Sequence, residues 1–168
     1  PPWHSLRDHL SRTKTERSAG ACEVVQRIDL HCDGSRRCAY TLDIIPRGNR
    51  EHVVPQSWWR NVANVNDLHH LFLTDHQYNN ARSNHLLGFN PDDASPRKVG
   101  DCILTKRGDV PLFWPAKNLG AASRATLYIL VAHGACLTSR TFSPEHLEVL
   151  VWHAVNEPVT SWEEQRNN

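Results

Sequence analysis

The sequence predicts a small α+β domain, and three observations support this. Residues 23–30 and 39–45 are two strand-like runs separated by turn-forming residues, which we interpret as a hairpin. Residues 121–133 and 143–156 have the composition and the end signals of helices. No internal repeat or low-complexity segment interrupts the chain. With 168 residues, it is long enough for one compact domain whose core needs neither a metal nor a disulfide.

The remaining elements follow from hydrophobic spacing and turn residues. Apolar residues at positions 3, 6 and 10 predict an N-terminal amphipathic helix. The apolar run at residues 68–73 predicts a strand, after which Thr74 or Asp75 could cap a helix that ends near residue 84. We further expect a surface loop at residues 89–100 and two short edge strands at residues 103–105 and 111–114.

The formal net charge of +1 conceals an uneven distribution. Residues 36–60 carry a net charge of +3 and residues 97–124 carry +4, whereas the last 26 residues carry −4. Two basic segments on a nearly neutral protein permit a face that binds a polyanion, although solvated patches of this size are common. No apolar run approaches the ~20 residues that span a bilayer, so we expect no membrane partner.

The first residues of the chain and its cysteines indicate the cellular compartment of the protein. The chain begins with two prolines and contains no methionine, which predicts a protein that is secreted or otherwise processed from a larger precursor. Its five cysteines form no C-x-x-C pair, which argues against a zinc ribbon and allows up to two disulfide bonds. Cys32 and Cys38 could close a small disulfide loop, depending on the separation of their Cα atoms.

A carboxylate and an imidazole, Glu51 and His52, lie side by side at the edge of an apolar run. Adjacent side chains of an extended segment point to opposite faces, so both reach one substrate only where the backbone turns, and Gly48 and Pro55 allow such a turn. Glu51 could then hold a hard divalent cation while His52 takes a proton from water. This dipeptide alone favours the simpler interpretation, a surface pair at a strand end.

A second group of polar residues lies on the predicted helix at residues 75–84. Asn79 and Arg82 are three residues apart and would share one helix face. An amide oxygen is a suitable ligand for Mg²⁺, and a guanidinium suits a phosphate. Taken alone, the Asn79-Asn80 pair is better explained as a solvated loop or cap.

Three motifs follow one another along the chain: NREHVVPQSWW at residues 49–59, DLHHLF at residues 67–72 and NNARSN at residues 79–84. In order and spacing they resemble the signature of bacterial endonuclease I and related secreted nucleases and ribonucleases, which are ββα-metal, or His-Me finger, nucleases. The resemblance implies one endonuclease I-like domain over residues 1–168. Its ββα-metal core would span about residues 40–88, and its C-terminal helices about residues 121–167.

The resemblance also implies roles for single residues. Glu51 and Asn79 match the ligands of one divalent metal, usually Mg²⁺ with Mn²⁺ or Ca²⁺ as alternatives, and His52 matches the general base that activates water. The implied reaction is hydrolysis of RNA or DNA phosphodiester bonds with low sequence specificity, leaving a 5′-phosphate and a 3′-hydroxyl. We expect a monomer whose partner is nucleic acid.

Supporting residues are assigned less directly. Some members hold the cleaved phosphate with an arginine in an insertion that this chain lacks, so the candidates here are Arg50, Arg60 and Arg82. His69 matches a family histidine that we expect to be structural, together with the neighbouring Asp67. Trp58 and Trp59 could stack on nucleobases or pack in the core.

Three other interpretations stay open. His69, His70 and His76 could bind structural zinc, although their spacing is poor. His133 and Cys136 could form a Cys-His nucleophile, although no third residue is at hand to orient them. Finally, the chain could keep the nuclease fold and bind nucleic acid without cutting it.

Overall fold

The computed structural model describes residues 21–60, 65–133 and 142–167, and within them the fold is α+β, as predicted. Helix α1 (Ala21–Ile28) precedes strand β1 (Asn49–His52), which pairs antiparallel with strand β2 (Leu71–Thr74). Helix α2 (His76–Arg82) follows at once. Two antiparallel strands and a helix in this order are compatible with a ββα-metal core.

A second sheet of four strands follows the ββα unit. Its strands are β3 (Leu86–Leu87), β4 (Arg97–Val99), β5 (Cys102–Arg107) and β6 (Val110–Trp114), in the spatial order β3-β6-β5-β4. β3 pairs parallel with β6, whereas β4, β5 and β6 pair antiparallel. The strands predicted at residues 103–105 and 111–114 are therefore present but central, and the predicted loop at 89–100 contains β4.

Three helices complete the described chain: α3 (Leu119–His133), α4 (Pro144–Asn156) and α5 (Ser161–Asn167). The predicted cap of α4 is confirmed, because the Ser143 side chain accepts a hydrogen bond from the His146 amide. α3 packs against α4 and against a 3₁₀ turn at Leu68–His70, just before β2. No helix in the described ranges is long and apolar enough to cross a bilayer.

The hairpin predicted from residues 23–30 and 39–45 is wrong. Residues 21–28 are helical, and Val25 on this helix is fully buried. The apolar residues of this segment fit the two-residue period of a strand and also the i, i+3 spacing of a helix. Burial of one helix face against the core favours the helix. Between α1 and β1, residues 29–48 form only two isolated bridges, Leu30 with Arg36 and Arg37 with Ile44. The N-terminal helix predicted at residues 3–12 lies outside the described residues.

The cysteines whose side chains the structure describes are all free. Cys32 is exposed and donates its thiol hydrogen to Gln165 at 3.3 Å, whereas Cys38 and Cys102 are buried. The candidate disulfide between Cys32 and Cys38 is thus not formed.

One buried arginine ties the C-terminal helix to the ββα unit. The Arg166 guanidinium forms an ion pair with Asp29 and donates hydrogen bonds to the carbonyl oxygens of Leu68 and Leu71. Asp29 in turn accepts a hydrogen bond from the Leu73 amide at 2.5 Å. Because the side chains of Arg166 and Asp29 are only 3% and 1% exposed, this network replaces the water that these charges and carbonyls would otherwise bind.

Candidate active site

A polar cleft of about 360 Å³ opens where β1, the turn after it and α2 meet. Two of the motifs noted in the sequence supply its walls, one through β1 and its turn and the other through α2. The lining residues are Glu51, His52, Pro55, Gln56, Ser57, Asn79, Ser83 and Asn84. The three residues with predicted catalytic roles, Glu51, His52 and Asn79, therefore share one cleft.

Glu51 is a buried carboxylate at the bottom of this site. It is 3% exposed, and its Oε1 accepts a hydrogen bond from the Tyr40 hydroxyl at 2.7 Å. Burial raises the pKa of Glu51 to about 7, while the positive charge of Arg82 and the Tyr40 hydrogen bond oppose that rise. A buried carboxylate that is incompletely compensated by its neighbours favours the approach of a cation.

Asn79 lines the same cleft. Its Nδ2 donates to the carbonyl oxygen of Arg50 at 3.2 Å, which fixes the orientation of the amide. Since this hydrogen bond uses the amide nitrogen, Oδ1 is the atom of Asn79 that could bind a cation. A carboxylate and an amide oxygen form a hard-oxygen donor set of the kind that Mg²⁺ uses, since this ion keeps several waters and takes few protein ligands. Glu51 and Asn79 thus fit a divalent cation.

His52 lies beside Glu51 with its ring held by three neighbours. Its Nε2 is 3.2 Å from the Gln56 side-chain nitrogen, and its ring contacts His70 edge-on at a centroid distance of 5.6 Å. Burial lowers the pKa of His52 to about 3, with further lowering by His70 and Arg50 and a smaller opposing effect from a hydrogen bond with Asn66. The imidazole is therefore neutral at physiological pH, the form that can accept a proton.

The neighbouring histidine is a buried support. His70 is fully buried, its Nε2 faces the Val65 carbonyl at 2.9 Å and its Nδ1 accepts from the Val54 amide at 3.4 Å. Two backbone partners of opposite kind fix its tautomer and its ring plane. His69 and His70 lie in a 3₁₀ turn and not in the extended strand that the sequence predicted. Within this turn His70 is buried and His69 is partly exposed.

Asp67 is the centre of a hydrogen-bond network beneath the site. Its side chain is fully buried and contacts His69 Nδ1 at 2.8 Å, His133 Nε2 at 2.9 Å and the Tyr128 hydroxyl at 3.1 Å. It also caps the 3₁₀ turn by accepting from the His69 amide. Asp67 and His69 thus belong to one buried network, and their role in supporting the site stays a prediction. The contacts also place His133 in this network, and Cys136 lies outside the described residues.

The Asp67 network should make stability sensitive to acid. Burial acts to raise the pKa of Asp67, but the hydrogen bonds from His133 and His69 outweigh it and hold the pKa well below its usual range. Since the unfolded value is about 3.9, the carboxylate stabilises the fold above about pH 4, and this contribution is lost as pH falls further. At neutral pH, Asp67→Asn should lower the free energy of unfolding by at least about 1.5–3 kcal/mol.

Urea unfolding of both proteins between pH 7 and pH 2 checks this prediction. The difference between wild type and Asp67→Asn should be constant at neutral pH and shrink below about pH 4. A difference that stays unchanged down to pH 2 would contradict it.

The three candidate phosphate-binding arginines are placed differently. Arg82 is fully buried, donates to the carbonyl oxygens of Val53 and Ser83, and lies over the Trp58 ring at 5.8 Å. Its guanidinium is thus engaged by backbone carbonyls and lowers the pKa of Glu51 through its charge, so its burial does not favour phosphate binding, which stays a prediction. Arg60 is exposed and Arg50 is partly exposed on β1, so both stay available to a phosphate.

The two tryptophans are core residues in the described structure. Trp58 and Trp59 are 8% and 6% exposed, which leaves little ring surface for a nucleobase. Trp58 packs edge-on against Phe142, and Trp59 packs against His70 and His133. Core packing, the alternative noted from the sequence, therefore describes both, and base stacking by Trp58 and Trp59 is not supported.

The zinc interpretation finds no support in the described ranges. They contain no group of three or more histidine, cysteine or acidic residues that could hold a metal ion. His76 contacts Asn49 and Asn80 on the surface of α2, whereas His70 is fully buried beneath the cleft.

Several site residues were not predicted from the sequence. Tyr40, eleven residues before Glu51, carries no signal of its contact with that carboxylate. Gln56 lies within the first motif, and Asn66 directly precedes the second. Their positions therefore pointed to the site, but nothing in the sequence indicated which atoms they contact.

Comparison with known proteins agrees with this geometry. A family model described as Endonuclease I matches residues 12–168, which is nearly the whole chain and includes the cleft. No curated protein and no solved structure matches the chain significantly. Members of this family are metal-dependent nucleases in general. The chain therefore belongs to the endonuclease I family.

Proposed function

We propose that this protein is a divalent-metal-dependent endonuclease that hydrolyses phosphodiester bonds of DNA, RNA or both with low sequence specificity. The observation that carries the proposal is the meeting of Glu51, His52 and Asn79 at one cleft within a chain of the endonuclease I family. The proposed products are a 5′-phosphate and a 3′-hydroxyl. We further propose that it acts as one nuclease domain, as a monomer, and outside the cell or after processing from a precursor.

His52 is the proposed general base. Its neutral imidazole faces the cleft and can take a proton from the water that attacks phosphorus. Glu51 and Asn79 would hold the cation, with Mg²⁺ as the first choice and Mn²⁺ or Ca²⁺ as alternatives. A bound cation would neutralise charge that develops on the phosphate during the reaction.

Two further kinds of side chain have proposed roles: some bind the substrate phosphates, and others hold Glu51 in place. Arg50 and Arg60 are the candidates to contact substrate phosphates, and such contacts give affinity without sequence information. Tyr40 and Arg82 hold Glu51 from the protein side, through a hydrogen bond at 2.7 Å and through charge. Since the proposed substrate contacts are to phosphates, which carry no sequence information, low specificity is the expected outcome.

The first test is whether cleavage of nucleic acid requires a divalent metal ion. Cleavage of supercoiled plasmid and of labelled RNA should occur with Mg²⁺, stop with EDTA and return with excess Mg²⁺. Glu51→Gln keeps the size of the side chain and the contact with Tyr40 but removes the charge. The Mg²⁺ concentration for half-maximal cleavage should therefore rise by at least about tenfold.

Two results would overturn the proposal. One is a folded wild-type protein that cuts neither substrate with any divalent metal, and gel shifts without cleavage would then indicate a binding domain of the same fold. The other is full cleavage in the presence of EDTA. Glu148→Gln, which changes an exposed glutamate on α4, is the matched control and should leave the metal requirement unchanged.

A further inference from the structure

We propose that Arg97 binds a backbone phosphate of the substrate beside the cleft, so that the nucleic-acid strand runs from the cleft past the end of α2 to β4. This inference rests on the proposed function and deepens it. It assigns one residue of the basic segment at residues 97–124 to the substrate, and it places a substrate contact on the second sheet.

Arg97 shares a face of the second sheet with buried core residues. Arg97 pairs with Leu104, and Leu104 pairs with Phe113 on the next strand. Directly opposed residues of neighbouring strands point to the same face, and Leu104 and Phe113 are both buried. Arg97 is exposed and stands at the open end of this row. Lys98 is also exposed but points to the other face, like its partner Ile103.

Helix α2 packs on the face to which Arg97 points. α2 contacts β4, and Tyr78 of α2 lies so close to Gly100, directly after β4, that a Cβ added there would overlap its ring. Arg97 is at the other end of β4, near the end of the helix. Burial lowers the pKa of His85, three residues beyond α2, and the positive charges of Arg82 and Arg97 lower it further.

The end of α2 also forms a wall of the cleft. Ser83 and Asn84 follow the helix, line the cleft and are exposed. Asn79 lies about 6 Å earlier along the helix axis. Because His85, which senses the charge of Arg97, comes next after Asn84, the guanidinium lies where a strand would leave the cleft over the end of α2.

The Arg97 guanidinium has no fixed partner among the residues that the structure describes. It forms no ion pair and no side-chain hydrogen bond there, whereas Arg37, Arg124 and Arg166 each pair with a carboxylate. An unpaired, exposed cation beside a cleft suits a polyanion, since each phosphate that it neutralises releases a counterion. The simpler alternative, attraction to the C-terminal end of α2, predicts an effect on stability and none on binding.

Binding without turnover tests the contact. Fluorescence anisotropy of a labelled single-stranded DNA oligonucleotide in EDTA gives Kd as a function of KCl concentration. Arg97→Gln should weaken binding by about three- to tenfold at about 0.1 M salt and reduce the slope of log K against log salt by about 0.7. Lys98→Gln removes the same charge from the other face of β4 and is the matched control, which should keep the wild-type Kd and slope.

A neutral methylphosphonate, placed at one linkage of the oligonucleotide at a time, locates the phosphate. At one position it should weaken binding by the wild type but not by Arg97→Gln, because both changes remove the same contact. In cleavage assays, Arg97→Gln should raise KM by the factor seen in Kd and change kcat by less than about twofold.

Three results would overturn the inference. They are a wild-type protein that does not bind the oligonucleotide, equal changes in slope for Arg97→Gln and Lys98→Gln, and an Arg97→Gln variant that lowers the melting temperature but keeps the wild-type slope. A wild type that binds but does not cleave would instead reject the proposed function, and the binding series would still decide on Arg97.

Discussion

His52→Ala should lower the rate of phosphodiester cleavage by about 10²- to 10⁴-fold, the range that a positioned general base contributes. The expected loss lies in kcat, because the imidazole moves a proton and does not bind the phosphate backbone. Added imidazole should restore part of the activity, since the cavity left by the ring adjoins the open cleft. Single-turnover cleavage of a labelled substrate with saturating Mg²⁺ measures both effects.

His153→Ala is the matched control for this experiment. His153 lies on α4 and pairs with Glu157 at 2.7 Å, away from the residues that line the cleft. The control should keep wild-type activity. If His52→Ala folds normally, as judged by circular dichroism and thermal melting, and still cleaves within about threefold of wild type, His52 is not the base.

Arg166→Met should destabilise the fold by about 3–5 kcal/mol, the cost of breaking a buried ion pair from one side. Methionine fills a similar volume, but it leaves Asp29 charged and buried and removes the donors to the carbonyl oxygens of Leu68 and Leu71. Burial already lowers the pKa of Arg166 to about 9, which shows how little water reaches this group. Chemical denaturation at pH 7 measures the loss.

Two further variants isolate the origin of that loss. Arg27→Met removes an exposed arginine from α1 and should change stability by less than about 0.5 kcal/mol. Asp29→Asn combined with Arg166→Met removes the stranded charge while an amide oxygen can still accept from the Leu73 amide. The double variant should therefore be more stable than Arg166→Met alone, and a strictly additive loss would contradict the assigned pairing.

The meeting of Glu51, His52 and Asn79 at one cleft could be predicted because the motifs that contain them resemble the family signature in order and spacing, while their catalytic roles stay a prediction. Glu51 and His52 end one strand, and Asn79 lies in the helix whose cap, Asp75, is visible in the sequence and accepts from the Gln77 amide. The strand that pairs with β1 could also be predicted, because it coincides with the run at residues 71–74, whose side chains are all buried. The helix caps at Asp75 and Ser143 and the presence of strands at residues 103–105 and 111–114 could be predicted because their signals are local, whereas the central position of these strands could not.

The features that the sequence alone left undecided or misassigned depend on partners that are distant in sequence. Arg82 has the charge and the helical position of a phosphate ligand, and only the three-dimensional structure shows that the Val53 carbonyl, 29 residues earlier, takes its hydrogen bond. The burial of Trp58 depends on Phe142 in the same way. For residues 21–28, strand and helix periods fit the same apolar residues, and the packing of α1 against β1 and β2 decides between them.

The Arg166 network also has a consequence for the order of events during synthesis. The guanidinium that secures the Leu68 carbonyl lies 98 residues later in the chain, and the Tyr128 hydroxyl that contacts Asp67 lies 61 residues later. A ribosome adds about 5–20 residues per second, so the strands and helix of the cleft leave it several seconds before their last supports. A nascent chain released before α5 would lack that anchor, so the ββα unit gains its full support only once α5 has been synthesised and has folded onto it.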